Sequence, residues 1–149
     1  MNDTIEAVLN EALMDEYKAR DTYHKVIETF GTVRPFVNIV EAEQTHIDLL
    51  LPLYEQYGIP VPAEPDPDRI ASPGSLLEAC ETGVAAEIEN VTMYDRLISA
   101  TDQADVVEVF KRLQAASRDH HLPAFQRCVE RGGTPGGGPG SGRGGAGCR

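Results

Sequence analysis

The stretch "VEAEQTHIDLL", Val40 to Leu50, puts Glu43 and His46 three positions apart on a stripe that also holds Phe36, Ile39, Leu50, Leu53 and Tyr57. Residues three and four apart share one face of a helix. The segment is therefore an amphipathic helix whose apolar face carries a carboxylate and an imidazole one turn apart. An unpaired ionised carboxylate in a helical core is too costly to persist, so it must be paired, be protonated or bind a cation.

The same periodicity extends along most of the chain. Upstream, Leu9, Leu13, Glu16, Tyr23, Ile27 and Phe30 mark a helix over about residues 4 to 30. Gly31 stops it and Pro35 starts the next, so the first two helices form an antiparallel hairpin. Downstream of "SPGS", the positions Leu77, Cys80, Val84, Glu87, Val91, Tyr94 and Ile98 mark a third helix. A fourth carries Val106, Phe110, Leu113, Ser117 and His120 or His121, out to about Cys128. Pro123 should kink it just beyond the histidines. No alternating strand pattern competes, so the expected class is all-α.

The linker "GIPVPAEPDPDRIASPG" has five prolines in 17 residues and cannot be helical. At about 3.1 Å per residue it reaches roughly 50 Å, enough to run the length of a 23-residue helix of about 34 Å. Two antiparallel hairpins joined by a crossover are expected over residues 1–131. From Gly132 the chain reads "GGTPGGGPGSGRGGAG", ten glycines in sixteen residues, which predicts a flexible tail over 132–149.

Net charge is −11, and the body before the last 19 residues carries 10 basic against 24 acidic side chains. Such a body repels nucleic acid and anionic membrane and suits cations. The N-terminus lacks a basic and apolar leader, and no run of about 18 apolar residues occurs, so a cytoplasmic protein is expected. Three cysteines, Cys80, Cys128 and Cys148, form no metal-like spacing and read as reduced thiols, two of them in or near the core. Paired hairpin bundles often dimerise along an apolar side, which makes a homodimer the oligomer this pattern suits.

The two hairpins repeat each other. Glu16 and Glu87 are each followed seven residues later by a tyrosine, Tyr23 and Tyr94. Thirty residues separate Glu16 from His46, and 33 or 34 separate Glu87 from His120 or His121. An internal duplication would gather both glutamates and both histidine positions at mid-bundle. Arg20, four after Glu16, reads as a surface ion-pair partner, and His24 as exposed.

These residues resemble the ferritin-like superfamily of carboxylate-bridged di-iron four-helix bundles, whose pattern is one Glu from each of two helices and Glu-x-x-His from the other two. More narrowly, "EALMDEYKARDTYHKVIETFG", "RPFVNIVEAEQTHIDLLLPLYEQYGIPVP" and "ASRDHHLPAF" are similar to a small prokaryotic ferritin-like family, the domain of unknown function numbered 2202. The resemblance implies metal ligation by Glu16, Glu43, His46, Glu87 and His120 or His121, with Tyr23 and Tyr94 bonded to ligand carboxylates. It implies iron, as a di-iron or mononuclear centre, or manganese. If the protein is an enzyme, the resemblance implies an oxidoreductase that oxidises ferrous iron with oxygen or peroxide. The pattern is incomplete, because Ser117 and Arg118 stand where a second Glu-x-x-His needs glutamate. A non-catalytic scaffold with one structural ion or none is the alternative that this gap supports.

Overall fold

Local signals cut the chain into its helices. The Gly31 N–H closes on the Ile27 carbonyl, and Gly58 ends the next helix in the left-handed conformation while the Ile59 N–H reaches back to the Tyr54 carbonyl. Ser75 caps the third helix, its hydroxyl accepting from the Glu78 N–H at 3.0 Å. A computed structural model of the chain describes residues 2–134. It contains α1 (Asn2–Phe30), α2 (Phe36–Tyr57), α3 (Leu76–Ser99), α4 (Ala104–Ala116) and α5 (Leu122–Glu130), with a π-helical turn, Ser117–His121, between α4 and α5. No strand occurs among the described residues, and no helix is long and apolar enough to cross a membrane.

Two apolar clusters fix the helix directions. One gathers Leu9 and Leu13 of α1, Leu50 and Leu53 of α2, Tyr94 and Leu97 of α3, and Phe110 and Leu113 of α4. The other gathers Tyr23 and Val26, Phe36 and Ile39, Ala79 and Cys80, and Phe125 and Cys128. Thus α1 runs from the first cluster to the second and α2 returns. Helix α3 again starts at the second cluster, and α4 with α5 runs back to it. Helices α2 and α3 are therefore parallel, and residues 58–75 must travel the length of the bundle. Ile59 is buried, and midway Glu64 accepts from Arg20 at 2.7 Å while Arg69 donates to Asp21 at 3.1 Å. Arg20 thus makes the surface ion pair expected of it, with Glu64 of the crossover rather than along its own helix.

The fourth helical segment departs from the expected single kinked helix. Leu113, Ser117, His121 and Phe125 are all buried, at three successive spacings of four. Twelve residues of α-helix rotate about 120° beyond whole turns, which would carry some of these side chains out of the core. The wide turn absorbs that drift, with the Leu122 N–H donating to the Ser117 carbonyl five residues back. Pro123, in the first turn of α5, has no N–H to hold the tighter ladder. The irregularity therefore falls at the histidines, ahead of the proline, and not beyond it.

The cysteine expectation is corrected. Cys80 and Cys128 are buried and joined by a disulfide that ties α3 to α5 across 48 residues of sequence. Cys80 lies seven before Glu87 and Cys128 seven after His121, so helix packing brings them to one level, which no sequence-local spacing rule detects. Gly133 packs against α3, where an added Cβ would lie 2.4 Å from the Leu77 nitrogen. The tail expected from Gly132 otherwise lies outside the described residues, including Cys148.

Closing a loop of this length is worth about 4 kcal/mol in the chain-entropy treatment. Replacing Cys80 and Cys128 together by alanine should lower the melting temperature by about 10 °C. An unchanged melting temperature in calorimetry would show that the bond contributes nothing.

Candidate metal centre

Between the two apolar clusters lies a layer of buried polar side chains. Glu16, Glu43, His46, Glu87 and His121 are each 5% exposed or less. Glu16 comes from α1, Glu43 and His46 from α2, Glu87 from α3 and His121 from the π turn. They form two groups that share Glu43. Glu16, Glu43 and His46 offer ligand atoms within 4.8 Å of one another, and so do Glu43, Glu87 and His121. His120, the other histidine considered from sequence, is exposed and belongs to neither group. The wide turn decides between the two, since it swings His121 inward and leaves His120 outside. His24 is exposed and faces Glu28 at 3.5 Å.

Glu43 is the hinge of the arrangement. His46 Nδ1 stands 3.1 Å from Glu43 Oε1 and 3.2 Å from Glu16 Oε1. His121 Nδ1 stands 3.5 Å from both Glu43 Oε2 and Glu87 Oε1. The two imidazoles stack with centroids 5.4 Å apart. The remaining oxygens of the outer carboxylates are taken crosswise: the Tyr94 hydroxyl donates to Glu16 Oε2, and the Tyr23 hydroxyl to Glu87 Oε2, each at 2.6 Å. Each tyrosine thus fixes the glutamate of the opposite hairpin and leaves its second oxygen facing the layer. Tyr23 is itself held by Phe125, 5.0 Å away between ring centroids. Phe125 needs Gly83 beneath it, because a Cβ there would meet the ring at 2.7 Å.

Asn90 and Ser117 complete the layer and carry no signal as ligands in the sequence. Asn90 donates to Asp15 Oδ2 at 2.7 Å, lies 3.5 Å from Glu16 Oε2, and accepts from the Ser117 hydroxyl at 2.7 Å. One signal was available: Asn90 is three after Glu87 on the buried face, where the other hairpin has Ala19 three after Glu16. Ser117 is buried and forms with Asn90 an uncharged, hydrogen-bonded pair beside the layer.

Charge in the layer is shared among these groups. Burial, with the negative charge of Glu43, pushes the Glu16 carboxyl up to about 7. Burial would also raise Glu43, but His121 and His46 outweigh it and hold it below the ordinary range. Burial alone would lower the imidazoles. Glu16 and Glu43 instead raise His46 to about 10, and Glu43 and Glu87 raise His121 to about 9. Without metal the layer is thus three carboxyls balanced by two imidazoliums. Glu43 Oε1, Glu87 Oε1 and His121 Nδ1 still lack a hydrogen bond, although buried polar atoms are nearly always satisfied.

An all-helical bundle with buried carboxylate and imidazole groups that could hold a metal ion is the class these observations define. The chain belongs to the DUF2202 family, described as an uncharacterized protein domain, whose model matches residues 8–136. It is similar to the uncharacterized protein MJ0754 of Methanocaldococcus jannaschii, 30% identical over 141 residues, covering 85% of this chain and 75% of that protein. The crystal structure of the hypothetical protein MJ0754 matches with a TM-score of 0.78 and 28% identity, over 87% of this chain and 82% of that one.

The imidazole shifts set a pH dependence for metal-free protein. Both histidines bind protons more tightly folded than unfolded, where the ordinary value is about 6.5. Their stabilisation is therefore complete below pH 6.5 and is lost as pH rises through about 9 and 10. Urea unfolding of chelator-stripped protein should show stability falling between pH 7 and pH 10 by on the order of a few kcal/mol. Replacing both His46 and His121 by glutamine should flatten that slope; an equally steep slope in the variant would assign it elsewhere.

Proposed function

We propose that this is a ferritin-like metalloprotein whose polar layer holds iron or manganese. The carrying observation is the pair of buried ligand groups that share Glu43. The parallel α2 and α3, joined by a crossover, support the ferritin-like topology. The donor set fits such ions: hard carboxylates with one imidazole per group suit iron and manganese better than copper(I) or thiolate-bound zinc. The atoms of Glu43, Glu87 and His121 that lack a hydrogen bond are ones a cation could engage.

In this reading Glu16, Glu43 and His46 would hold one ion, and Glu43, Glu87 and His121 the other. Tyr23 and Tyr94 keep the outer carboxylates oriented so that one oxygen of each faces the layer. Both imidazoles must shed a proton to bind, so loading is coupled to proton release. An iron pair there would supply one-electron steps to an oxygen or peroxide acceptor, with ferrous iron as the substrate oxidised. The apolar clusters on either side exclude bulk water from the layer. One observation favours a second reading: Ser117 and Asn90 form an uncharged pair beside the layer, so a single structural ion in a non-catalytic scaffold also fits.

Metal analysis of the purified protein, with oxygen uptake on adding ferrous iron, separates the readings. About two ions per chain with uptake supports the oxidoreductase, and one tightly held ion without uptake supports the scaffold. Replacing both Glu43 and His46 by leucine should abolish tight metal binding. It should also destabilise the metal-free protein, since Glu16 loses its His46 partner and His121 its Glu43 partner. Glu87→Leu should lower the stoichiometry as well. Full metal content in the Glu43, His46 double variant would end the proposal.

A further inference from the structure

A hollow of about 150 Å³ lies between α1 and α3, walled by Asp15, Lys18, Thr22, Ala86, Glu87 and Asn90 among others. Small side chains create it, because Ala19 and Thr22 on α1 face Thr82, Ala85 and Ala86 on α3 and leave the gap unfilled. Its inner wall includes a member of the ligand layer. Glu87 is 2% exposed, and its Oε1 has no hydrogen-bond partner. Glu87 therefore belongs both to the wall of the hollow and to the ligand layer, where its Oε1 stands 3.5 Å from His121 Nδ1.

Asp15 connects the hollow to the other ligand group. It is half-buried, and Asn90 joins it to the neighbourhood of Glu16 through the 2.7 Å bond to Asp15 and the 3.5 Å approach to Glu16. A second, more open depression shares Asp15, Lys18 and Glu89 with the first and extends it outward along the same helices. Around the hollow, Asp15, Glu87 and Glu89 face one cation, Lys18. That imbalance in a narrow, low-dielectric cleft concentrates cations. The depression beside Glu81, Val84 and Gln126 and the one beside Thr4 and Ser99 include none of the ligand residues.

The geometry points to the hollow between α1 and α3 as the route by which a divalent cation reaches the ligand layer, with Asp15 as the carboxylate that takes the ion from water. This rests on the metal-binding reading above. Asn90 holds Asp15 in place at the threshold, and the cation passes from Asp15 to Glu87 and Glu16 as it sheds water. The small side chains at Ala19 and Ala86 are the clearance such a passage needs.

The test uses cobalt(II) alone as the probe, added to the full metal-free chain and followed by its ligand-field absorption in stopped flow. Asp15→Asn keeps the shape and an acceptor for Asn90 but removes the charge; Ala86→Leu fills the hollow. Each should slow cobalt uptake at least tenfold while leaving the final stoichiometry unchanged. Glu81→Gln, beside a depression away from the layer, should load at the wild-type rate. Wild-type rates in both hollow variants would overturn the route. Lost stoichiometry in Asp15→Asn would overturn it too, by making Asp15 a holding ligand. If Ala86→Leu fails the circular-dichroism check for folding, Asp15→Asn decides alone. Failure of the wild-type protein to bind cobalt at all would instead sink the metal-binding reading.

Discussion

Three carboxylates removed from water in a single layer are the constraint on which the rest of this structure turns. Each is tolerable only because something answers its charge or its lone pairs: two imidazoliums, two tyrosine hydroxyls and an asparagine. That requirement places a polar floor between two apolar clusters and dictates which helices must meet there. Glu43 touches both imidazoles and stands in both ligand groups, so the balance of the layer passes through one side chain.

The supports reach outward from the layer through packing. Gly83 makes room for Phe125, Phe125 braces Tyr23, and Tyr23 orients Glu87. On the other side Phe110 packs against Tyr94, 5.3 Å between centroids, and Tyr94 orients Glu16. The disulfide pins α3 to α5 on the Phe125 side, joining the helix that carries Glu87 to the one that follows His121. Such locked neighbours hold the carboxylates and imidazoles of the layer in fixed positions.

Much of this was legible in the sequence, because helical periodicity reports directly on burial. A glutamate or histidine on an apolar stripe announces itself, which is how Glu16, Glu43, His46 and Glu87 stand out. The proline-rich linker announced a long connection, since no helix can form there. What stayed hidden depends on how helices meet. His120 and His121 are equivalent on paper, and only the widened turn tells them apart, although the run of buried residues at 113, 117, 121 and 125 is its trace. Cys80 and Cys128 pair because α3 packs on α5, a fact of tertiary structure. Asp15 matters through a gap left by small residues on two helices, and no single-helix pattern records a gap.

The crosswise tyrosines have a consequence for cooperativity. Since Tyr23 orients Glu87 and Tyr94 orients Glu16, neither hairpin contains a finished half of the layer. Separating the hairpins would strip each outer carboxylate of its hydroxyl donor at the same moment. The two groups therefore form one breathing unit: a fluctuation that parts the hairpins loosens both together, so anything held there is released at least as fast as the hairpins separate.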